Sequence, residues 1–171
     1  MTIITETGAG LPDAESYASI AASDTRCASL GLTAWASLAE ADKEIALRKA
    51  TIFMATYRTR WAGRRVYQRQ ALDWPRYNVA VDGFIVPGTI VPLDIVNACI
   101  DLAVRAGGGE DLLPDLDTGS NAIKKDKTGP LETEYFQNTT DARERFVAVD
   151  ALLAPYFGSA GSGNSIKVTR A

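Results

Sequence analysis

The chain has 171 residues, with 18 lysines and arginines against 21 aspartates and glutamates, and no histidine. At 46% hydrophobic and 23% charged residues it has the composition of an ordinary globular domain, long enough to bury most of its apolar surface, which excludes a wholly disordered chain. Lack of histidine removes the commonest general base near neutral pH and the commonest metal ligand. Hydrolase triads and most zinc or non-haem iron sites are thereby disfavoured, and the expectation is a non-enzyme without cofactor or metal.

No apolar run approaches the roughly 20 residues that cross a bilayer. The opening MTIITETGAG lacks the basic end and apolar stretch of a secretory signal. No membrane partner and synthesis in a cytosol are therefore expected. Cys27 and Cys99 stand far apart, outside any CxxC pair and within helical apolar patterns, so both are expected as small buried thiols.

In chain order, the β-branched Thr2-Ile3-Ile4-Thr5 predicts a short extended strand that turns at Gly8 and Gly10. A helix is predicted over 17–30, with Tyr17, Ile20, Ala21, Cys27, Ala28 and Leu30 as a small apolar face and Gly31 as a left-handed cap. Ser37-Leu38-Ala39-Glu40 reads as a capping box. It opens a second helix over about 38–58, with Ala46, Ala50, Phe53 and Tyr57 on one stripe and Ile45 and Ile52 flanking it.

Beyond Gly63 the pattern is irregular, and Pro75 forces Trp74 out of helical geometry, which marks Trp74 as a core plug. Residues 79–86 read as a hairpin turned by Asp82-Gly83. Pro92 opens a helix that carries Ile95, Val96, Cys99, Ile100, Leu102 and Ala103 and stops at Gly107-Gly108-Gly109. After an acidic connection over 112–118, segments 123–127 and 131–136 predict a second hairpin through Thr128-Gly129-Pro130. A last helix over 146–156 should bury Phe146, Val149, Leu152 and Leu153, and residues 158–163 are a Gly/Ser linker. The fold expected is mainly α: a small helical bundle of about four helices with two β-hairpins and an extended C-terminal arm. One domain would span 1–157, and 158–171 would be linker and docking arm.

Few motifs carry chemistry. Gly8-Ala9-Gly10 lacks the third glycine of a dinucleotide fingerprint, and nothing matches a P-loop. Asp115-Leu116-Asp117-Thr118-Gly119 resembles a calcium loop but lacks the further oxygen ligands and closing glutamate, so it reads as a solvated acidic turn. Glu132 and Glu134 share one face of a predicted strand, and without a partner base they read as surface carboxylates.

The one charge anomaly is the segment 58–69, which holds Arg58, Arg60, Trp61, Arg64, Arg65, Tyr67 and Arg69 and no acid, in a chain of net charge −3. Arginine forks suit phosphates, and interleaved Trp61 and Tyr67 suit stacking on bases of single-stranded nucleic acid. The same residue types dominate protein–protein hot spots. A third reading is a solvated helix end whose arginines pair within the domain. At the other end, the alternating Ser165, Ile166, Lys167, Val168, Thr169 and Arg170 after the linker has the form of an arm that adds a strand to another subunit, against simple fraying of a terminus.

At Gln70-Ala71-Leu72-Asp73-Trp74-Pro75-Arg76 the sequence resembles a phage and prophage family of DnaT-like single-stranded-DNA-binding proteins, which looks related to head-to-tail connectors. The resemblance runs over most of the chain. It takes in Gly10-Leu11-Pro12-Asp13-Ala14 with Ser16-Tyr17, Trp35, Ala46-Leu47, Ala50, Val91-Pro92, Leu113-Pro114-Asp115-Leu116, Gly129-Pro130 and Leu152-Leu153-Ala154-Pro155. Trp74, Pro75 and Arg76 form its most specific block, as a structural motif.

The resemblance implies a head-completion adaptor of a tailed bacteriophage, made in the host cytoplasm and resident at the head–tail junction of the virion. Its implied partners are the portal protein, neighbouring copies in a ring expected as a dodecamer, a tail-side connector or tail protein, and DNA in weak or transient passage. No catalytic residue comes with it. The alternative it implies is a DnaT-like protein that binds single-stranded DNA, against which the net charge of −3 weighs.

Overall fold

The computed structural model describes residues 2–114, 125–128, 131–134 and 146–158. The β-branched opening segment pairs through one parallel bridge, Thr5 with Ser16, and forms no longer strand. Glu6 organises the turn that follows. Its buried carboxylate accepts the N–H groups of Gly8, Gly10 and Leu11 at 2.8, 2.9 and 2.7 Å. Gly8 has φ +107°, and a Cβ there would overlap the Thr89 carbonyl oxygen, so only glycine fits. An amide in place of the Glu6 carboxylate would turn an NH2 group toward one of these three donors. Glu6→Gln is therefore expected to cost about 2 kcal/mol, read as a lower midpoint in urea unfolding.

Helix α1 (Ile20–Ser29) starts later than the sequence pattern suggests because Ser19 caps it, its hydroxyl accepting the Ala22 N–H at 3.2 Å. Tyr17 sits in the preceding loop, buried, and its hydroxyl accepts the Asp73 N–H at 2.9 Å. Only Ser23 and Cys27 of α1 are buried, while Ala21, Ala28 and Leu30 are exposed. At the far end the N–H groups of Gly31 and Leu32 return to the carbonyls of Ala28 and Cys27, the Schellman closure expected of the glycine.

A short helix the sequence did not announce, α2 (Thr33–Ala36), buries Trp35, whose indole N–H donates to Asp24 at 2.8 Å. The expected capping box is not formed. The Ser37 hydroxyl donates to the Ala34 carbonyl at 2.8 Å, and α3 (Glu40–Met54) starts after Ala39 with no side-chain cap. The nearer carbonyl of α2 wins the serine because it lies within a local side-chain-to-backbone bond.

Helix α3 runs on through a 3-10 turn (Ala55–Tyr57) and makes the largest interhelical contact among the described residues, with α4 (Leu93–Gly107). Ala46, Leu47, Ala50 and Met54 are buried on α3; Ile95, Ala98, Cys99, Leu102 and Ala103 are buried on α4. Each fully buried large side chain in this layer contributes about 1.5–3 kcal/mol. Ile45 and Ile52, expected beside the buried stripe, face outward at 50% and 62% exposure. At about 100° per residue they lie across the helix from Leu47 and Met54.

Helix α5 (Val147–Leu153) packs on α4, and in the 3-10 turn after it (Ala154–Tyr156) the Tyr156 hydroxyl donates to Asp94 of α4 at 2.8 Å; Phe146, Val149 and Leu153 are buried and Leu152 is half-buried. Both cysteines are buried free thiols. Burial pushes the Cys99 thiol pKa up, and its Sγ lies 3.5 Å from Thr51 Oγ1.

Three two-stranded antiparallel pairs occur among the described residues. Strands β3 (Ala80–Val81) and β4 (Phe84–Ile85) form the expected hairpin, with φ +52° at Asp82 and +84° at Gly83 as a type I′ turn requires. Strands β5 (Lys125–Thr128) and β6 (Leu131–Glu134) form the second, in a register that sets Lys127 opposite Glu132 and Lys125 opposite Glu134. The third pair, β1 (Arg64–Arg65) with β2 (Arg76–Tyr77), was not legible, because ten residues without a hairpin signature separate its strands. The acidic turn at 115–119 and the segment 159–171, with the proposed arm residues Ser165, Ile166, Lys167, Val168, Thr169 and Arg170, lie outside the described residues.

Candidate nucleic-acid interface

The 58–77 segment is built on aromatic packing. Trp74 is fully buried, edge to face with Trp61 at 5.8 Å and with Tyr156 at 5.6 Å between ring centroids. Trp61 also packs on Phe157 at 5.1 Å and Tyr57 at 6.0 Å. Trp61, expected as a contact to bases or to a protein partner, is instead part of the core. It is only 6% exposed, and a core ring offers no face to a ligand. The cause is a backbone pairing absent from any local pattern. Trp61 bridges Phe157 in antiparallel register, the Ala62 N–H donates to the Tyr156 carbonyl at 2.9 Å, and the Gly158 N–H donates to the Arg60 carbonyl at 2.8 Å. That bridge sets the Trp61 ring inward, while Arg60, in the turn before it, stays exposed with its guanidinium over the Phe157 ring.

Arg76 is structural. Its buried guanidinium donates from Nε to the Ala62 carbonyl at 2.7 Å, from Nη2 to Gly63 at 2.9 Å and from Nη1 to Asp73 at 3.1 Å. Burial holds its pKa below the usual arginine value. Pro75, between it and Trp74, is buried too.

The five arginines of the strip separate into two sets. Arg58 Nε donates to the buried Asp73 carboxylate at 2.9 Å. The Arg60 guanidinium lies 4.0 Å from the Phe157 ring centroid and 3.6 Å from Asp150. Both are thus engaged within the fold. Arg64, Arg65 and Arg69 are exposed and enter none of the ion pairs among the described residues. The ribbon register places Arg64 directly opposite Tyr77, and Arg65 Nη1 donates to the Gln70 carbonyl at 3.1 Å.

Gln70 fixes the loop that carries the other members. Its buried amide accepts the Tyr67 N–H at 2.9 Å and donates to the carbonyls of Leu72 at 2.9 Å and Pro75 at 3.0 Å. Tyr67 lies against Gly10, where a Cβ would overlap its ring, and remains about half exposed. Tyr77 is also exposed and joins the same edge. Sequence reading missed Tyr77 and gave Gln70 no role beyond its place in the 70–76 motif. The only signal for Tyr77 was its place next to Trp74-Pro75-Arg76, since its pairing with Arg64 spans a long loop.

Among the described residues no three His, Cys, Asp or Glu side chains cluster as metal ligands, and no helix is long and apolar enough to cross a membrane. An open cavity of about 430 Å³ lies between α1, α2 and the start of α3, lined by Asp24, Cys27, Leu32, Trp35 and Lys43. Its charges are paired internally. Lys43 donates to Asp24 at 2.8 Å, and that bond holds the Asp24 carboxyl below its usual range.

The described residues define an α-rich protein with a basic, tyrosine-bearing β-ribbon and loop on its surface. The chain belongs to the family described as "Putative DnaT-like ssDNA binding protein", whose model matches residues 1–171. Neither the curated proteins nor the solved structures contain a significant match.

Proposed function

We propose that the protein binds single-stranded DNA along the edge formed by Arg64, Arg65, Tyr67, Arg69 and Tyr77. The observation that carries this reading is the division within the arginine strip: Arg58 and Arg60, though exposed, are ion-paired to Asp73 and Asp150 and Trp61 is buried, while Arg64, Arg65 and Arg69 enter no ion pair among the described residues and stand exposed with Tyr67 and Tyr77 on a ribbon and a clamped loop. Membership of the DnaT-like family supports the same ligand. The arginines would neutralise phosphates and the tyrosines would offer ring faces to bases, a combination that tolerates any sequence. In this reading the protein is a binding protein and catalyses nothing.

The net charge of −3 limits the affinity. Three phosphate contacts on a single strand give a slope of about −2 in log affinity against log salt, so binding is modest and fades as salt rises. Arg64→Glu combined with Arg65→Glu is expected to weaken binding of a labelled oligothymidine at least about tenfold and to flatten that slope by more than one unit. Fluorescence anisotropy over a salt series measures both quantities. Unchanged affinity in the double variant would sink the assignment of the edge, and absence of saturable binding by the wild type at low salt would sink the function.

A second reading is favoured by a separate observation. The β3–β4 hairpin exposes Phe84 and Ile85, which suit a protein contact better than a polyanion. In that reading the chain is a head-to-tail adaptor of a tailed phage, a ring on the portal between head and tail proteins, and the arginine edge meets the portal, a neighbouring copy or DNA in transit. Saturable co-sedimentation with a portal ring, with little oligothymidine retained in a parallel tube, would favour it over the first. DNA retention without portal association would do the reverse.

A further inference from the structure

We propose that the β3–β4 hairpin docks on the outer face of α3 in a second copy of this chain. Among the described residues, β4 and α3 each leave a pair of large apolar side chains uncovered. On the hairpin, Phe84 and Ile85 are 78% and 79% exposed, and as consecutive strand residues they point to opposite faces of the ribbon. The Phe84-Ile85 end of the hairpin therefore stands clear of its own domain, while β3 packs on the Ala154–Tyr156 turn with Val81 half-buried against the core. On α3, Ile45 and Ile52 are seven residues apart, so they form one stripe, offset by only about 20°.

Charge selects the occupant. Asp82 sits in the hairpin turn beside Phe84, and Lys49 lies one turn from both Ile45 and Ile52; each is exposed, and neither is ion-paired among the described residues. Each surface thus presents two large apolar side chains, and the charge between the two isoleucines, Lys49, is opposite to Asp82; Asp42, exposed one turn before Ile45, places a like charge at the N-terminal end of the stripe, so the hairpin turn is directed toward Lys49. A second copy brings the complement of both at once. Since hairpin and helix face are different patches, the contact is heterologous: every chain offers one of each, and copies add head to tail into a ring or an open row. The inference deepens the second reading above, that of an assembling subunit, and needs no DNA.

Sedimentation velocity of the full chain over a concentration series tests it. The wild type is expected to associate past the dimer. Phe84→Asp and Ile52→Asp should each weaken association about thirtyfold, the effect of losing a hot-spot side chain. Because both positions are exposed, circular dichroism and the thermal midpoint should not move. Mixed in equal amounts, the two variants should form a heterodimer that grows no further, since the intact α3 face of one accepts the intact hairpin of the other. Lys49→Asp or Asp82→Lys alone should weaken association, and the two together in one chain should restore it.

A wild type that stays monomeric at every concentration overturns this inference, while the adaptor reading is decided separately by co-sedimentation with a portal ring. Association that survives Phe84→Asp and Ile52→Asp overturns the assigned surfaces and leaves that reading standing. Oligothymidine affinity, carried by the arginine edge, should be the same per chain in both variants.

Discussion

Trp74→Ala is expected to destabilise the protein by about 3–5 kcal/mol, the largest single effect at any position considered. The ring is completely buried and is the meeting point of two edge-to-face contacts, with Trp61 on one side and Tyr156 on the other. Removing it deletes the apolar contact and leaves a cavity between the 61–63 stretch and the C-terminal 3-10 turn, which the backbone pairing of Trp61 with Phe157 keeps from collapsing. Domain stabilities are about 5–15 kcal/mol, so a large part of the whole is at stake. Trp74→Phe provides the contrast. The indole N–H of Trp74 has no acceptor among the described residues, so phenylalanine loses ring area but also removes an unsatisfied donor, and the cost should fall to about 1–2 kcal/mol. Urea unfolding with a tryptophan-independent readout, such as circular dichroism, measures both. Equal midpoints for Trp74→Ala and wild type would remove Trp74 from the core.

Arg76→Ala should cost about 3 kcal/mol, through lost charge-assisted bonds rather than lost apolar area. Three backbone carbonyls, those of Ala62, Gly63 and Asp73, depend on one guanidinium whose planar fork reaches all of them. Arg76→Lys tests the geometry, because an ammonium on a flexible stem cannot serve three divergent acceptors, and it should recover less than half of the loss. The local consequence is loss of the β1–β2 ribbon, which hydrogen exchange reads at the Val66 N–H, bonded to the Pro75 carbonyl at 3.3 Å. If Arg76→Lys matched the wild type in both stability and exchange, the fork would have no special role.

These two variants also explain how the candidate edge is held. Arg64, Arg65 and Tyr77 are exposed, yet the ribbon that carries them is anchored from beneath by Arg76 and Gln70, both buried. The side chains proposed to meet a ligand and those that place them are adjacent in sequence and have opposite burial. A change at Arg76 should therefore lower DNA affinity and stability together, whereas the reversal at Arg64 and Arg65 should lower affinity alone.

Much of the fold was written locally. The Schellman end of α1 at Gly31, the Asp82-Gly83 turn, Pro92 at the mouth of α4 and the burial of Phe146 and Val149 follow from neighbours a few residues away, where turn chemistry and 3.6-residue periodicity act. The fate of Ser37 was not legible, since two helix ends compete for one hydroxyl. Ile45 and Ile52 read as flanking the buried stripe, but which side of α3 meets α4 is set by the partner helix.

The candidate site shows the same division. Sequence alone determined that the chain has a histidine-free, net-acidic composition with one arginine-rich, acid-free strip, and that Trp74 belongs in the interior. Only the tertiary structure decided which members of that strip remain available. The 156–158 stretch returns to pair beside Trp61 and turns its ring inward, Asp73 and Asp150 engage Arg58 and Arg60, and β2 brings Tyr77 opposite Arg64. Those partners lie 13 to 96 residues apart in sequence, and pairing over such separations depends on loop closure and packing rather than on any local preference of the strip.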